Sequence, residues 1–227
     1  MVPKGLSAQN IEARTFVLFC TLGVVAAATE TPAEAALGQG KGAETRAAIL
    51  DRAVDLASVE GLEGLTIGRL AAELEMSKSG LFAHFGSKQE LQLGTVDAAA
   101  RRFWVAVIEP ALGADEGLPR LRALAQSSLT YLDDGTFSGG CFWSASSAEY
   151  DDRPGPVRDA IATGLEAWLG ELARQAEIAG SAEPDRFAFE LYAIATGANS
   201  RFRLSRDRVV FDYARAAIER LLGELSA

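Results

Sequence analysis

Between Thr66 and Glu90 the chain reads TIGRLAAELEMSKSGLFAHFGSKQE, a string with a signal at every helix boundary. Thr66 is placed to cap a helix through its hydroxyl, and Ile67, Leu70, Ala71 and Leu74 follow at the i, i+3, i+4, i+7 spacing of one buried face. Glu75 and Met76 must turn the chain. Ser77 can cap a second helix in which Leu81, Phe82 and Phe85 supply apolar anchors, leaving Lys78, Ser79 and Gly80 free at its start. Ser87, with Glu90 three residues on, is a capping box for a further helix. A helix that enters a DNA major groove needs this arrangement. Its first turn must bring small or hydrogen-bonding side chains to base edges while amides and basic groups meet phosphate oxygens.

The runs Leu70-Ala71-Ala72, Met76-Ser77-Lys78, Leu81-Phe82-Ala83-His84-Phe85 and Ser87-Lys88-Gln89-Glu90-Leu91 resemble the DNA-binding domain of TetR-type transcriptional regulators. The likeness extends upstream into Glu44-Thr45-Arg46-Ala47-Ala48-Ile49-Leu50 and covers about Thr45 to Val96. It implies an all-α fold, a three-helix helix-turn-helix head followed by a larger helical bundle that binds a small-molecule effector and dimerises. It also implies Lys78, Ser79 and Gly80 at the groove, with Thr66, Ser77, His84 and Lys88 on phosphates. For His84 the alternative is to cap carbonyls at its helix end, and for Lys88 an ordinary solvated side chain. Two positions depart from the family pattern. Glu75 stands where Gly is usual, which predicts a left-handed residue at a cost of about 1 kcal/mol. Phe82 stands at the DNA-binding position where Tyr is common; without the hydroxyl that meets a phosphate, its expected role is packing.

A chain of 227 residues with 48% hydrophobic composition can bury a substantial core and divides naturally into a small and a larger domain. The expected parts are an N-terminal extension over 1–40, a DNA-binding domain over 41–100 and an effector-binding and dimerisation domain over 101–227. A net charge of −9 opposes phosphate binding, but the acid is unevenly spread. Residues 41–102 carry eight Lys/Arg against nine Asp/Glu, whereas residues 103–227 carry twelve against nineteen. The head is therefore near neutral, and affinity must come from two heads engaging two half-sites of a pseudo-palindromic operator. Cys20 and Cys141 make neither a disulfide framework nor a metal-ligand spacing, and a single histidine leaves no Ser-His-Asp triad elsewhere. A reducing, cytoplasmic setting fits, with no cofactor and no membrane partner.

Phe16 to Ala28 is an apolar run too short for a comfortable membrane span, and Thr29 to Gly42 reads as a flexible linker. An extension left by an upstream start codon, a helix packing on the protein and an export or anchoring segment are the three readings. Beyond it, helices are predicted over about Glu44 to Val59, from Ser87 to about Glu109, and over Leu118 to Leu132, Val157 to Ala179, Pro184 to about Arg203 and Asp207 to Leu225; no stretch alternates like a strand. Phe187, Leu191, Ile194 and Ala195, then Val210, Tyr213, Ala217 and Leu221, lie along the last two helices, with Ala193, Gly197, Ala198 and Ala216 permitting close approach. The resemblance implies that these helices pair with their copies as a four-helix bundle; intramolecular packing is the alternative.

Gly139-Gly140-Cys141-Phe142-Trp143 resembles the nucleophile loop of peptide methionine sulfoxide reductases, in which Glu149 and Tyr150 would hold the oxygen. A Cys141-based redox enzyme is thus the alternative function, but the surrounding residues read as helices whereas that fold is built on strands. The preferred reading is a Gly-Gly-Cys segment opening a body helix. Asp151-Asp152-Arg153-Pro154-Gly155-Pro156 reads as a helix connection rather than an acidic metal site. Phe103, Trp104, Phe142, Trp143 and Trp168 are candidates to line an effector pocket, with core packing the simpler account of any one of them.

Overall fold

The computed structural model describes residues 41–225; the expectations for residues 1–40 lie outside the described residues. The described residues form nine α-helices and no strand: α1 (Lys41–Glu60), α2 (Ile67–Glu73), α3 (Lys78–Phe85), α4 (Lys88–Phe103), α5 (Leu118–Asp133), α6 (Phe142–Tyr150), α7 (Pro156–Ile178), α8 (Pro184–Ser205) and α9 (Val209–Gly223). The fold is all-α, with a helix-turn-helix head followed by a helical body.

In the head, α1 turns Ile49, Leu50, Ala53, Val54 and Ala57 inward onto α4, and Leu70, Leu81 and Phe85 close the core from α2 and α3. Gly61 ends α1 at φ +87, donating its N–H to the Ala57 carbonyl at 3.0 Å. The sequence pattern carries the fourth helix to Glu109, but α-helical bonding stops at Phe103. A π-helical turn over Trp104–Ile108 and a 3-10 turn over Glu109–Ala111 follow. Pro110 has no N–H to continue the ladder, and the wider turn still buries both Val107 and Ile108. The expected boundary after residue 100 falls within α4, whose last turn already carries Phe103 into the body.

Proline opens three body helices, at Pro119 in α5, Pro156 in α7 and Pro184 in α8, where a missing N–H costs nothing. In the body α8 lies against both α7 and α9, and α7 also meets α4, α5 and α6. The buried side chains form one continuous cluster from Ile49 in α1 to Leu222 in α9, so head and body share a core.

Candidate nucleic-acid interface and body cavity

Three hydroxyls set the head's register. Thr66 accepts the Arg69 N–H at 3.1 Å, Ser77 the Gly80 N–H and Ser87 the Glu90 N–H, both at 3.0 Å. Each oxygen accepts one bond and keeps its own O–H to donate. Glu75 takes the turn with φ +52, the left-handed conformation expected of the residue in the usual glycine's place. Thr66, Ser77, Lys78 and Ser79 are all exposed, and Ser77 and Ser79 hydroxyls are 3.3 Å apart. A β-carbon on Gly68 would lie 3.4 Å from the Lys78 Cε and 4.0 Å from the Thr66 hydroxyl, so this gap brings the caps of α2 and α3 onto one surface.

Phe82 departs from its expected packing role. It is 54% exposed, beside the fully buried Leu81, and presents an aromatic face from the same helix as Lys78 and Ser79. Gly80 is tight for a structural reason, because a β-carbon there would sit 3.0 Å from the capping Ser77 oxygen. The end of α3 is capped by Gly86, which donates to the Phe82 carbonyl at 2.7 Å, rather than by the half-buried His84. His84 makes no hydrogen bond among the described residues and tilts against Phe85.

Most head cations are already paired. Arg69 bridges Glu60 at 2.6 Å and Glu73 at 2.9 Å, Arg52 also pairs with Glu73, and Arg102 binds Asp55 at 2.6 Å as well as Asp51. Lys88, expected on phosphate, donates to Glu63 at 2.6 Å. Lys78 makes no ion pair among the described residues and stands at the start of α3, where the positive end of the helix favours an anion.

Glu63 belongs to a polar cluster joining head to body whose partners stand too far apart in sequence for any local pattern to announce it. It accepts from Tyr150 Oη at 3.0 Å, and Gln92 donates to that same Tyr150 oxygen and to the Leu62 carbonyl, both at 2.9 Å. The neighbouring Glu149 carboxylate accepts the backbone N–H groups of Leu62 at 2.7 Å and Glu63 at 3.1 Å. Gly61 makes this possible, since a β-carbon there would stand 2.6 Å from Glu149 Oε1. The Lys88 ammonium holds the Glu63 carboxyl below the usual carboxylate range against a partial desolvation that opposes it.

At the other end of α6, Cys141 is the N-cap. Its Sγ accepts the Ser144 N–H at 3.5 Å and faces the Tyr131 hydroxyl at 3.6 Å. Glu149 and Tyr150 lie eight and nine residues further on, about 12 Å along a helix, and are engaged with the head. The trio needed for sulfoxide chemistry is therefore not assembled among the described residues.

Cys141 borders a narrow cavity of about 40 Å³ enclosed by α4, α5, α6, α7 and α8. Phe103, Trp143 and Trp168 line it. Trp104 and Phe142, expected beside them, do not: Phe142 is sealed in the core at 1% exposure, and Trp104 sits in the π-helical turn. Tyr131, Tyr192 and Thr196 also line it, and their sequence pattern does not mark them, because on amphipathic helices wall and core residues share one spacing.

A stripe of α8 and α9 is left uncovered. Phe187, Leu191, Val210 and Leu221, candidates for contact with a second copy, are buried within the single chain. Phe189, Ala193, Gly197 and Arg201 instead form an exposed row on α8, facing outward with Tyr213 and Ala216 of α9. Between the helices runs a groove of about 460 Å³ floored by Gly197, Ala198, Ala214 and Ala217.

A helix-turn-helix head with an outward-facing second helix, fused to a helical body, is the architecture of a DNA-binding transcriptional regulator. Residues 49–93 fit the family described as bacterial regulatory proteins, tetR family. Residues 117–218 fit the tetracyclin repressor-like, C-terminal domain. The chain belongs to the TetR family. Among solved structures, a TetR transcriptional regulator from Chloroflexus aurantiacus superposes with a TM-score of 0.74 at 22% identity, covering 82% of this chain and 96% of its own. A TetR-family transcriptional regulator from Streptomyces coelicolor gives 0.72 at 24%, covering 82% and 97%. AibR in complex with isovaleryl coenzyme A and operator DNA gives 0.62 at 20%, covering 79% and 97%. Among curated proteins, none matches.

Proposed function

We propose that the protein is a homodimeric repressor that binds a pseudo-palindromic operator and leaves it when a small molecule occupies the body cavity. The observation that carries this reading is α6, which borders the cavity at Cys141 and Trp143 and holds the head loop at Glu149 and Tyr150. An occupant that shifts the first end must move or break contacts at the second, biasing the head between two placements. AibR, crystallised with isovaleryl coenzyme A and operator DNA, supplies a similarly folded example that engages both ligand and operator.

At the DNA, Lys78 and Ser79 read base edges, with Gly80 keeping the backbone close. Thr66, Ser77, His84 and Lys88 contact phosphates, and Phe82 supplies an apolar contact to a sugar or a thymine methyl group. The uncovered stripe of α8 and α9 pairs with its copy, placing two heads on successive major-groove faces. Mapping bound promoter DNA across the native genome tests the reading. It should return inverted half-sites upstream of a small set of genes, and a chain ending before Asp207 should lose most specific affinity. Bound sites without two-fold symmetry, or a truncated chain binding as tightly as the whole, would contradict it.

A further inference from the structure

Glu63 divides its two carboxylate oxygens between different neighbours. Oε1 accepts from the Lys88 ammonium at 2.6 Å, whereas Oε2 accepts from Tyr150 Oη at 3.0 Å and from Gln92 Nε2 at 3.4 Å. Arg153 stands beside the second oxygen. Its Nη1 is 3.6 Å away, inside ion-pair range but too far for a hydrogen bond, and its guanidinium lies 5.8 Å over the Tyr150 ring. The body also sets where this carboxylate sits. Glu149 accepts the Glu63 backbone N–H, so the end of α6 carries Glu63 with it.

Lys88 opens α4 behind the Ser87 cap, and its side chain and that of Glu63 are 39% and 44% exposed. A phosphate can therefore reach the ammonium. Sharing it is unfavourable, because one ammonium held between a carboxylate and a phosphate sets two anions only about 5 Å apart. Exchange avoids that repulsion. As Lys88 leaves Oε1, Arg153 can close its short remaining distance to Oε2, and the carboxylate is never without a cation.

We infer that Glu63 is a positioning residue that holds Lys88 off the DNA, and that operator binding passes Glu63 from Lys88 to Arg153. The inference rests on the reading of Lys88 as a phosphate contact and gives the coupling its sign. Displacing the end of α6 takes Tyr150 and Arg153 away from Glu63, whose carboxylate then keeps Lys88 and loosens the head on its operator.

The test measures the affinity of the full chain for the duplex that wild type selects from random DNA. Glu63→Gln keeps an acceptor for Tyr150 and releases Lys88, so it should tighten binding by about three- to ten-fold over two heads. In a Lys88→Ala background the same substitution should change affinity by less than about two-fold. Arg153→Ala should weaken binding by about three-fold, and this loss should vanish in the Glu63→Gln background. As a readout that needs no variant, the Glu63 carboxyl carbon resonance of wild type should shift when the duplex is added. Unchanged or weaker binding by Glu63→Gln would overturn the inference. So would a gain that persists without Lys88, which is the plain effect of removing negative charge, an Arg153→Ala loss indifferent to Glu63, or an unmoved carboxyl resonance. Any of these, with wild type selecting a two-fold symmetric duplex, contradicts the inference alone. Wild type that selects no duplex contradicts the DNA-binding reading and the inference with it.

Discussion

A β-carbon on Gly139 would stand 1.6 Å from the Ser58 carbonyl oxygen, and the Gly139 N–H donates to Ser58 Oγ at 2.9 Å. Gly140 follows at φ +90 and Cys141 caps α6. Each member of the Gly-Gly-Cys string thus has a packing reason, and the resemblance to a nucleophile loop came from three unrelated local needs falling side by side. Gly139→Ala should destabilise the fold by about 3 kcal/mol, since the obstacle is backbone and cannot swing aside. Denaturant unfolding showing a loss under about 0.5 kcal/mol would mean that the loop does not press on α1. The hydroxyl caps and the strained Glu75 were legible because capping and backbone handedness are decided within four residues. Phe82 was not, because a large apolar residue between two anchors reads as a third until its direction around the helix is known.

At the scale of elements, α6 matters most, and the sequence foretold its opening better than its purpose. Glu149 caps two N–H groups of a loop more than eighty residues away, a partnership with no local spacing to betray it. Glu149→Ala leaves those groups without their carboxylate and should cost about 1–3 kcal/mol. Hydrogen exchange should rise at Leu62 and Glu63 specifically; unchanged exchange there would remove α6 as the link between cavity and head. Glu63 adds a pH dependence. Its carboxyl titrates below its unfolded value of about 4.3, so its contribution is present above that value and is lost as pH falls through the lower, folded one. Glu63→Gln should therefore flatten the acid limb of thermal stability below about pH 5. An acid limb as steep as wild type would show that the Lys88 pair, partly open to solvent, stabilises nothing measurable.

For the whole molecule, charge explains more than composition suggests. The net −9 resides mainly in the body, and the head pairs most of its own cations, leaving few to release counterions from DNA. Operator affinity of the dimer should fall with salt at a log–log slope of about −4 to −5, shallow for a protein of this kind, and Lys88→Ala should reduce it by about 2, one contact per head. The number and order of helices were legible because periodicity, prolines and caps repeat along the chain. The cavity was only half legible: Phe103, Trp143 and Trp168 were among the candidates, while Tyr131 and Tyr192 were hidden in core-like spacing, since which face of a buried helix meets a void is settled by tertiary packing. The central claim is that α3 reads sequence through its first turn, and selection from random DNA with wild type and Lys78→Ala tests it most directly. Wild type should enrich a two-fold symmetric site, and the variant should lose preference at one position in each half-site, by about 1–3 kcal/mol. No enrichment by wild type, or an identical consensus and affinity for the variant, would contradict the account.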